Sequence, residues 1–158
     1  MTACLYEGAA RNIVRAFKYA GADYLAPKLA RSIPIPGLDD PPEAVIAVPS
    51  TRRERREKGF EPAALLAAAL ARRAGLPLRG DVLRKTRETR RQARLSLPER
   101  RRNVAGAFES GRAPTRVLLV DDVVTSGATL AACARALVRA GARRVTAAAF
   151  ARALPEFS

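Results

Sequence analysis

The chain has 158 residues, 48% of them apolar, enough for one compact domain with its own core, which excludes a disordered protein. Its 29 basic and 15 acidic residues leave a net charge of +14, so the partners it attracts are polyanions: nucleic acid, phosphate or pyrophosphate. With no histidine and only Cys4 and Cys133, it has no Ser-His-Asp or Cys-His mechanism, no histidine base and no four-ligand zinc site. No apolar run approaches the thickness of a bilayer, and the residues from Met1 to Cys4 do not open a leader pattern. The expectation is a cytoplasmic protein with no membrane insertion.

In chain order, residues 11–20 read as a helix with Ile13, Val14 and Phe17 on its apolar face and Gly21 placed to end it. Arg11, Arg15 and Lys18 fall at i, i+4 and i+7 and share the opposite face, where Lys18 reads as a surface lysine. Residues 23–31 form a second short helix with Leu25 and Leu29 inward. Residues 33–42 hold four prolines and a glycine and make a connecting loop. Val45-Ile46-Ala47-Val48 is a continuous apolar run, the pattern of a buried parallel strand. A charged stretch over 52–58 leads to Gly59-Phe60-Glu61-Pro62. Pro62 suits the first position of a helix that reaches about Ala74, with Leu65, Leu66, Ala69 and Leu70 inward.

Val82-Leu83 is a short strand. Residues 85–103 are crowded with arginine, and Ser96-Leu97-Pro98-Glu99 is a capping box that opens a short helix. Residues 104–108 read as a strand, 111–115 as a turn and 117–120 as the clearest buried strand. A helix follows over 129–140 with Leu130, Cys133, Leu137 and Val138 inward and Gly141 at its end; 145–150 is the last strand. Strands alternating with helices predict an α/β fold, a central, mainly parallel sheet flanked by helices. The expected organisation is a single domain over 1–158, with a helical segment and linker over 1–42 and the core over 43–158.

The densest motif follows the apolar strand: Asp121-Asp122-Val123-Val124-Thr125-Ser126-Gly127-Ala128-Thr129. The strand delivers two carboxylates to the edge where open α/β sheets bind ligands. A loop of small residues then enters a helix, and loop N–H groups together with a helix N-terminus make an anion site. Gly127 lets a phosphate approach the backbone, and Thr125, Ser126 and Thr129 add hydroxyl donors. Asp121 and Asp122 can accept hydrogen bonds from sugar hydroxyls, or hold Mg²⁺ through those hydroxyls and water. The plainer account is a buried strand with an incidental acidic turn. A receiver domain also pairs acids after an apolar strand, but it needs a further Asp, and none follows Asp122. Neither a P-loop nor a Gly-x-Gly-x-x-Gly is present.

This block resembles the phosphoribosyl pyrophosphate motif of type I phosphoribosyltransferases. The resemblance implies their α/β fold, with Asp121 and Asp122 on the ribose 2′ and 3′ hydroxyls and the loop from Thr125 through Ser126, Gly127 and Ala128 to Thr129 on the 5-phosphate. Val48-Pro49-Ser50-Thr51-Arg52 with the charged stretch to Phe60, and Leu83-Arg84-Lys85-Thr86-Arg87-Glu88-Thr89 with the arginines beyond it, resemble the narrower ComF type of competence protein. So do Tyr6-Glu7-Gly8 and Phe17-Lys18-Tyr19. Two departures stand out. The cysteine-rich zinc-binding segment usual ahead of this region is not in the sequence, and Gly59-Phe60-Glu61-Pro62 stands where the family favours Gly-Phe-Asn-Gln.

The resemblance further implies that Ser50, Thr51 and Arg52 hold pyrophosphate and that 85–103 is a mobile arginine-rich arm closing over the site. Arginine suits phosphate because its fork matches the oxygens; a solvated charged surface is the alternative for both segments. The expected activity is phosphoribosyl transfer to a nitrogenous acceptor with release of pyrophosphate, assisted by Mg²⁺ at Asp121 and Asp122, with Arg52 as a third catalytic group. Two other readings stay open: an accessory protein of DNA uptake that binds single-stranded DNA or DNA-processing proteins, and a sensor that binds phosphoribosyl pyrophosphate or a nucleotide without turnover. A homodimer is compatible with each. No aromatic residue between Arg79 and Asn103 offers a platform for stacked bases.

Overall fold

Four parallel strands make the central sheet of the computed structural model, in the order β1 (Thr2–Leu5), β6 (Arg144–Arg152), β5 (Arg116–Val124), β2 (Ala44–Ala47). The structure describes residues 1–19, 22–35, 40–89 and 96–154. Between the strands run α1 (Gly8–Tyr19), α2 (Ala26–Ser32, entered through a 3₁₀ turn at Asp23–Leu25), α3 (Arg52–Lys58), α4 (Pro62–Ala74), α5 (Leu97–Val104) and α6 (Ala128–Arg139). A second, two-stranded antiparallel sheet joins β3 (Leu83–Lys85) to β4 (Phe108–Ser110). The α/β class with a mainly parallel sheet is therefore what the strand and helix alternation predicts. Among the described residues no helix is long and apolar enough to cross a membrane.

β5 shows how sequence period places the two core layers. Side chains alternate across a strand, so Leu118 and Val120 join α1, α2 and α4 through Phe17, Leu29, Leu66 and Leu70. Val117 and Leu119 join α6 and the small sheet through Cys133, Leu137, Val82 and Phe108. Both faces of β5 are buried, as the unbroken apolar run requires.

Several boundaries differ from expectation for local reasons. The N-terminal segment opens with β1, an edge strand whose four residues carry no alternation and whose partner β6 lies at the far end of the chain. Residues 52–58 are helical because Thr51 caps them: its Oγ1 accepts the Glu54 N–H at 3.2 Å, while the Glu54 carboxylate accepts the Thr51 N–H at 2.8 Å. The expected strand at 104–108 starts only at Phe108, because Val104 completes α5. Ile13 and Val138, expected inward, are exposed. Gly21, expected to end α1, lies outside the described residues.

Candidate functional site

Because β2 and β5 pair in parallel, the loops leaving them meet at one edge of the sheet. β5 runs on past its apolar stretch, so both acids lie inside the strand rather than after it, with Asp121 opposite Ala149 of β6. Asp121 lines a hollow of about 150 Å³ together with Thr125, Gly127, Ala128 and Thr129. Gly127 takes a left-handed conformation, φ 74°, and from it the chain turns into α6. The first N–H groups of a helix have no carbonyl partner within it, so this hollow carries donors as well as an acid. Thr125 and Ser126 are exposed at its rim, and Ser126 Oγ accepts the Ala128 N–H at 3.4 Å.

Asp122 is turned toward α1. Its Oδ2 lies 3.0 Å from Nζ of Lys18, with both side chains largely buried. The Asp122 N–H donates to Asp121 Oδ1 at 2.8 Å, and the Val123 N–H donates to Asp122 Oδ1 at 2.6 Å. The motif predicts both acids beside the loop; in the structure Asp121 lines the hollow and Asp122 is paired with a lysine. Lys18 is thus no surface lysine. Phe17 beside it is fully buried and anchors the end of α1 over the sheet edge.

The charges in this cluster act on one another. Burial, followed by the negative charge of Asp122, raises the Asp121 carboxyl from an ordinary 3.8 to about 7, with Lys18 holding it down in part. Burial pulls the Lys18 ammonium down, but the Asp122 carboxylate and its hydrogen bond outweigh that and leave it above its ordinary value. Burial, then the nearby Asp121, pushes the Cys133 thiol well up, so it offers no thiolate nucleophile at neutral pH.

Across the edge, Ser50 and Thr51 follow β2, and Arg52 begins α3 with its side chain exposed. Three glutamates surround this loop. The Ser50 N–H donates to Glu61 Oε1 at 3.1 Å, the Thr51 N–H to Glu54 at 2.8 Å, and Thr51 Oγ1 to Glu88 Oε1 at 2.5 Å. Lys85 Nζ sits 2.9 Å from Glu54 Oε1, a contact that hydrogen-bonds β3 to α3. The described parts of the arginine-rich segment are tied at its base. Arg87 reaches the carbonyls of Asn103 at 3.0 Å and Ala105 at 2.7 Å, and β3 pairs with β4. Ser96 opens α5 with the expected capping box, Glu99 accepting from its N–H at 2.8 Å and its hydroxyl at 2.6 Å.

Residues 57–155 match the family model of the phosphoribosyl transferase domain, well over half of the chain. The chain belongs to that family. This chain is 32% identical over 117 residues to competence protein F of Haemophilus influenzae, covering 71% of this chain and 51% of that protein. It is 35% identical over 109 residues to the DNA utilization protein YhgH of Escherichia coli K12, covering 66% of this chain and 47% of that one. These likenesses bear out the narrower resemblance to competence proteins; the chain spans about half the length of these relatives. Among solved structures, it is similar to the glutamine phosphoribosylpyrophosphate amidotransferase of Bacillus subtilis, at 19% identity with TM-score 0.52, over 84% of this chain and 30% of that one. It is also similar to a structure described as the allosteric regulatory enzyme of purine biosynthesis, at 20% identity with TM-score 0.53, over 85% and 29%. Both likenesses place the fold among type I phosphoribosyltransferases.

Proposed function

We propose that the hollow beside Asp121 binds a ribose 5-phosphate group, and that the chain transfers it from phosphoribosyl pyrophosphate to a nitrogenous acceptor. The observation that carries this reading is the junction of one strand-end carboxylate with a glycine-gated loop and the start of α6 in a single hollow. Phosphate would lie against the loop N–H groups and the hydroxyls of Thr125, Ser126 and Thr129, while Asp121 accepts from the ribose diol. Asp122 joins it on the diol only by loosening its contact with Lys18. Ser50, Thr51 and Arg52 would face the diphosphate from the neighbouring loop. In the reaction the C1–O bond breaks with its electron pair leaving on pyrophosphate. The lone pair of the acceptor nitrogen forms the new bond to C1, and the nitrogen's proton passes to water or to the departing pyrophosphate. The protein's part is orientation and charge neutralisation.

Among the described residues no group of three or more His, Cys, Asp or Glu side chains could hold a metal ion. The Asp121–Asp122 pair nevertheless fits Mg²⁺, which keeps several waters and takes one or two carboxylates plus ligand oxygens. Bound there with the ligand, it would neutralise charge on the diphosphate.

A second reading has its own support. The relatives named for competence and DNA utilization, and the net charge of +14, favour a nucleic-acid role in which the arginines follow phosphates. Calorimetric titration of phosphoribosyl pyrophosphate with and without Mg²⁺ decides the first point. Metal-dependent binding in the wild type that weakens at least about tenfold in Asp121→Asn, roughly 1.4 kcal/mol, supports the site; equal binding by both removes it. Pyrophosphate release across a panel of bases and amines then separates transferase from sensor. A single-strand DNA affinity that ignores salt would exclude the nucleic-acid role.

A further inference from the structure

Two donors of the loop after β2 are held by carboxylates that helix capping does not explain. Glu54 belongs to the capping box of α3, and its bond to the Thr51 N–H needs no other account. Glu61 comes 11 residues after Ser50, and Glu88 comes 37 residues after Thr51, from the arginine-rich segment. Glu61 is held in place from both sides. The ring of its neighbour Phe60 packs against Phe17 with centroids 6.5 Å apart, and Arg55 Nε lies 3.5 Å from its other oxygen. Carboxylate and phosphate oxygens are equivalent acceptors for N–H and O–H donors. The carboxylates of Glu61 and Glu88 therefore stand where two diphosphate oxygens would, and their charge repels a diphosphate brought near.

We propose that Glu61 and Glu88 set the specificity of the site: they reserve Ser50 and Thr51, so the resting site takes ribose 5-phosphate compounds without a 1-diphosphate, such as nucleoside monophosphates, and admits a diphosphate only by being displaced. This rests on the assignment of the 50–52 loop to the diphosphate made above. The test is calorimetric titration of ribose 5-phosphate, Mg²⁺-pyrophosphate and phosphoribosyl pyrophosphate into the wild type, Glu61→Gln and Glu88→Gln. Glu61→Asn serves as the shorter replacement should the glutamine variant melt early. Each substitution is expected to tighten pyrophosphate and phosphoribosyl pyrophosphate about tenfold, or ~1.4 kcal/mol, and to leave ribose 5-phosphate within about twofold. If ribose 5-phosphate binds but no folded variant gains affinity for diphosphate, the specificity role is overturned and the ribose-phosphate site stands. If ribose 5-phosphate gains as much as pyrophosphate, only net charge has changed, and the role is again overturned. If neither ligand binds any form, the site itself is refuted and the specificity role goes with it.

Discussion

The Lys18–Asp122 pair is the contact on which the electrostatics of the site turn, and Lys18→Met tests it. The two side chains keep 22% and 13% of their exposure, and Nζ and Oδ2 are 3.0 Å apart. Breaking a fully buried pair from one side costs about 3–5 kcal/mol, because the remaining charge is buried without a partner; an exposed pair is worth about 1 kcal/mol or less. Solvent still reaches this one, so Lys18→Met should cost about 2–3 kcal/mol near pH 8. The double variant Lys18→Met/Asp122→Asn should recover most of that. The pH dependence has a definite sign. Lys18 itself, raised above 10.5 in the folded state, contributes fully below 10.5 and loses its contribution only as pH climbs through its folded value. Asp121 is an acid raised from 3.8 to about 7, so its charge opposes folding increasingly as pH rises from 3.8 to about 7. Removing the Lys18 charge raises Asp121 further and enlarges that penalty. The cost of Lys18→Met is therefore smaller near pH 4.5 than near pH 8. Urea unfolding of the four forms at both pH values measures it. A coupling under about 0.5 kcal/mol, the limit within which independent sites add, or an equal loss at both pH values, would show that the two charges do not support each other.

Lys85→Met should cost about 1 kcal/mol at pH 7, since Glu54 is only partly exposed and its capping bond survives. Burial alone would raise the Glu54 carboxyl, but Lys85 and Thr51 hold it below 4.5, so the difference from wild type should be full above 4.5 and be lost as pH falls through the lower folded value in the same unfolding assay. Gly127→Ala meets no heavy atom within 4 Å of the added Cβ, so its cost is that of the left-handed backbone alone. The expected loss is about 1 kcal/mol, read as a shift in the urea midpoint; no shift would mean that the loop relaxes freely.

The parts of this molecule that sequence makes legible are those whose cause is local. α4 begins at Pro62 and ends at Ala74 as expected, because a proline at the first position and a glycine after the last are chemical signals that need no partner. β5 is legible because burial on both faces leaves an unbroken apolar run, and the turn beyond it because a glycine among small residues marks a strand-to-helix loop. The capping box at Thr51 and Glu54 obeys the same local rule as that at Ser96 and Glu99, within a stretch, 52–58, that holds four arginines. Lys18 is a different kind of miss. A helical period places Lys18 four residues after Val14, at the edge of the buried stripe, but its charge groups it with Arg11 and Arg15. It becomes part of the site only because the end of α1 overhangs the sheet edge where Asp122, 104 residues later, emerges. Glu61 and Glu88 share this property, for each meets its donor only through the tertiary fold. Asp121 needs only its own strand and the loop that follows to reach its hollow. Lys18, Glu61 and Glu88 need the assembled fold, so no pattern within a single stretch of sequence could have joined them to the motif.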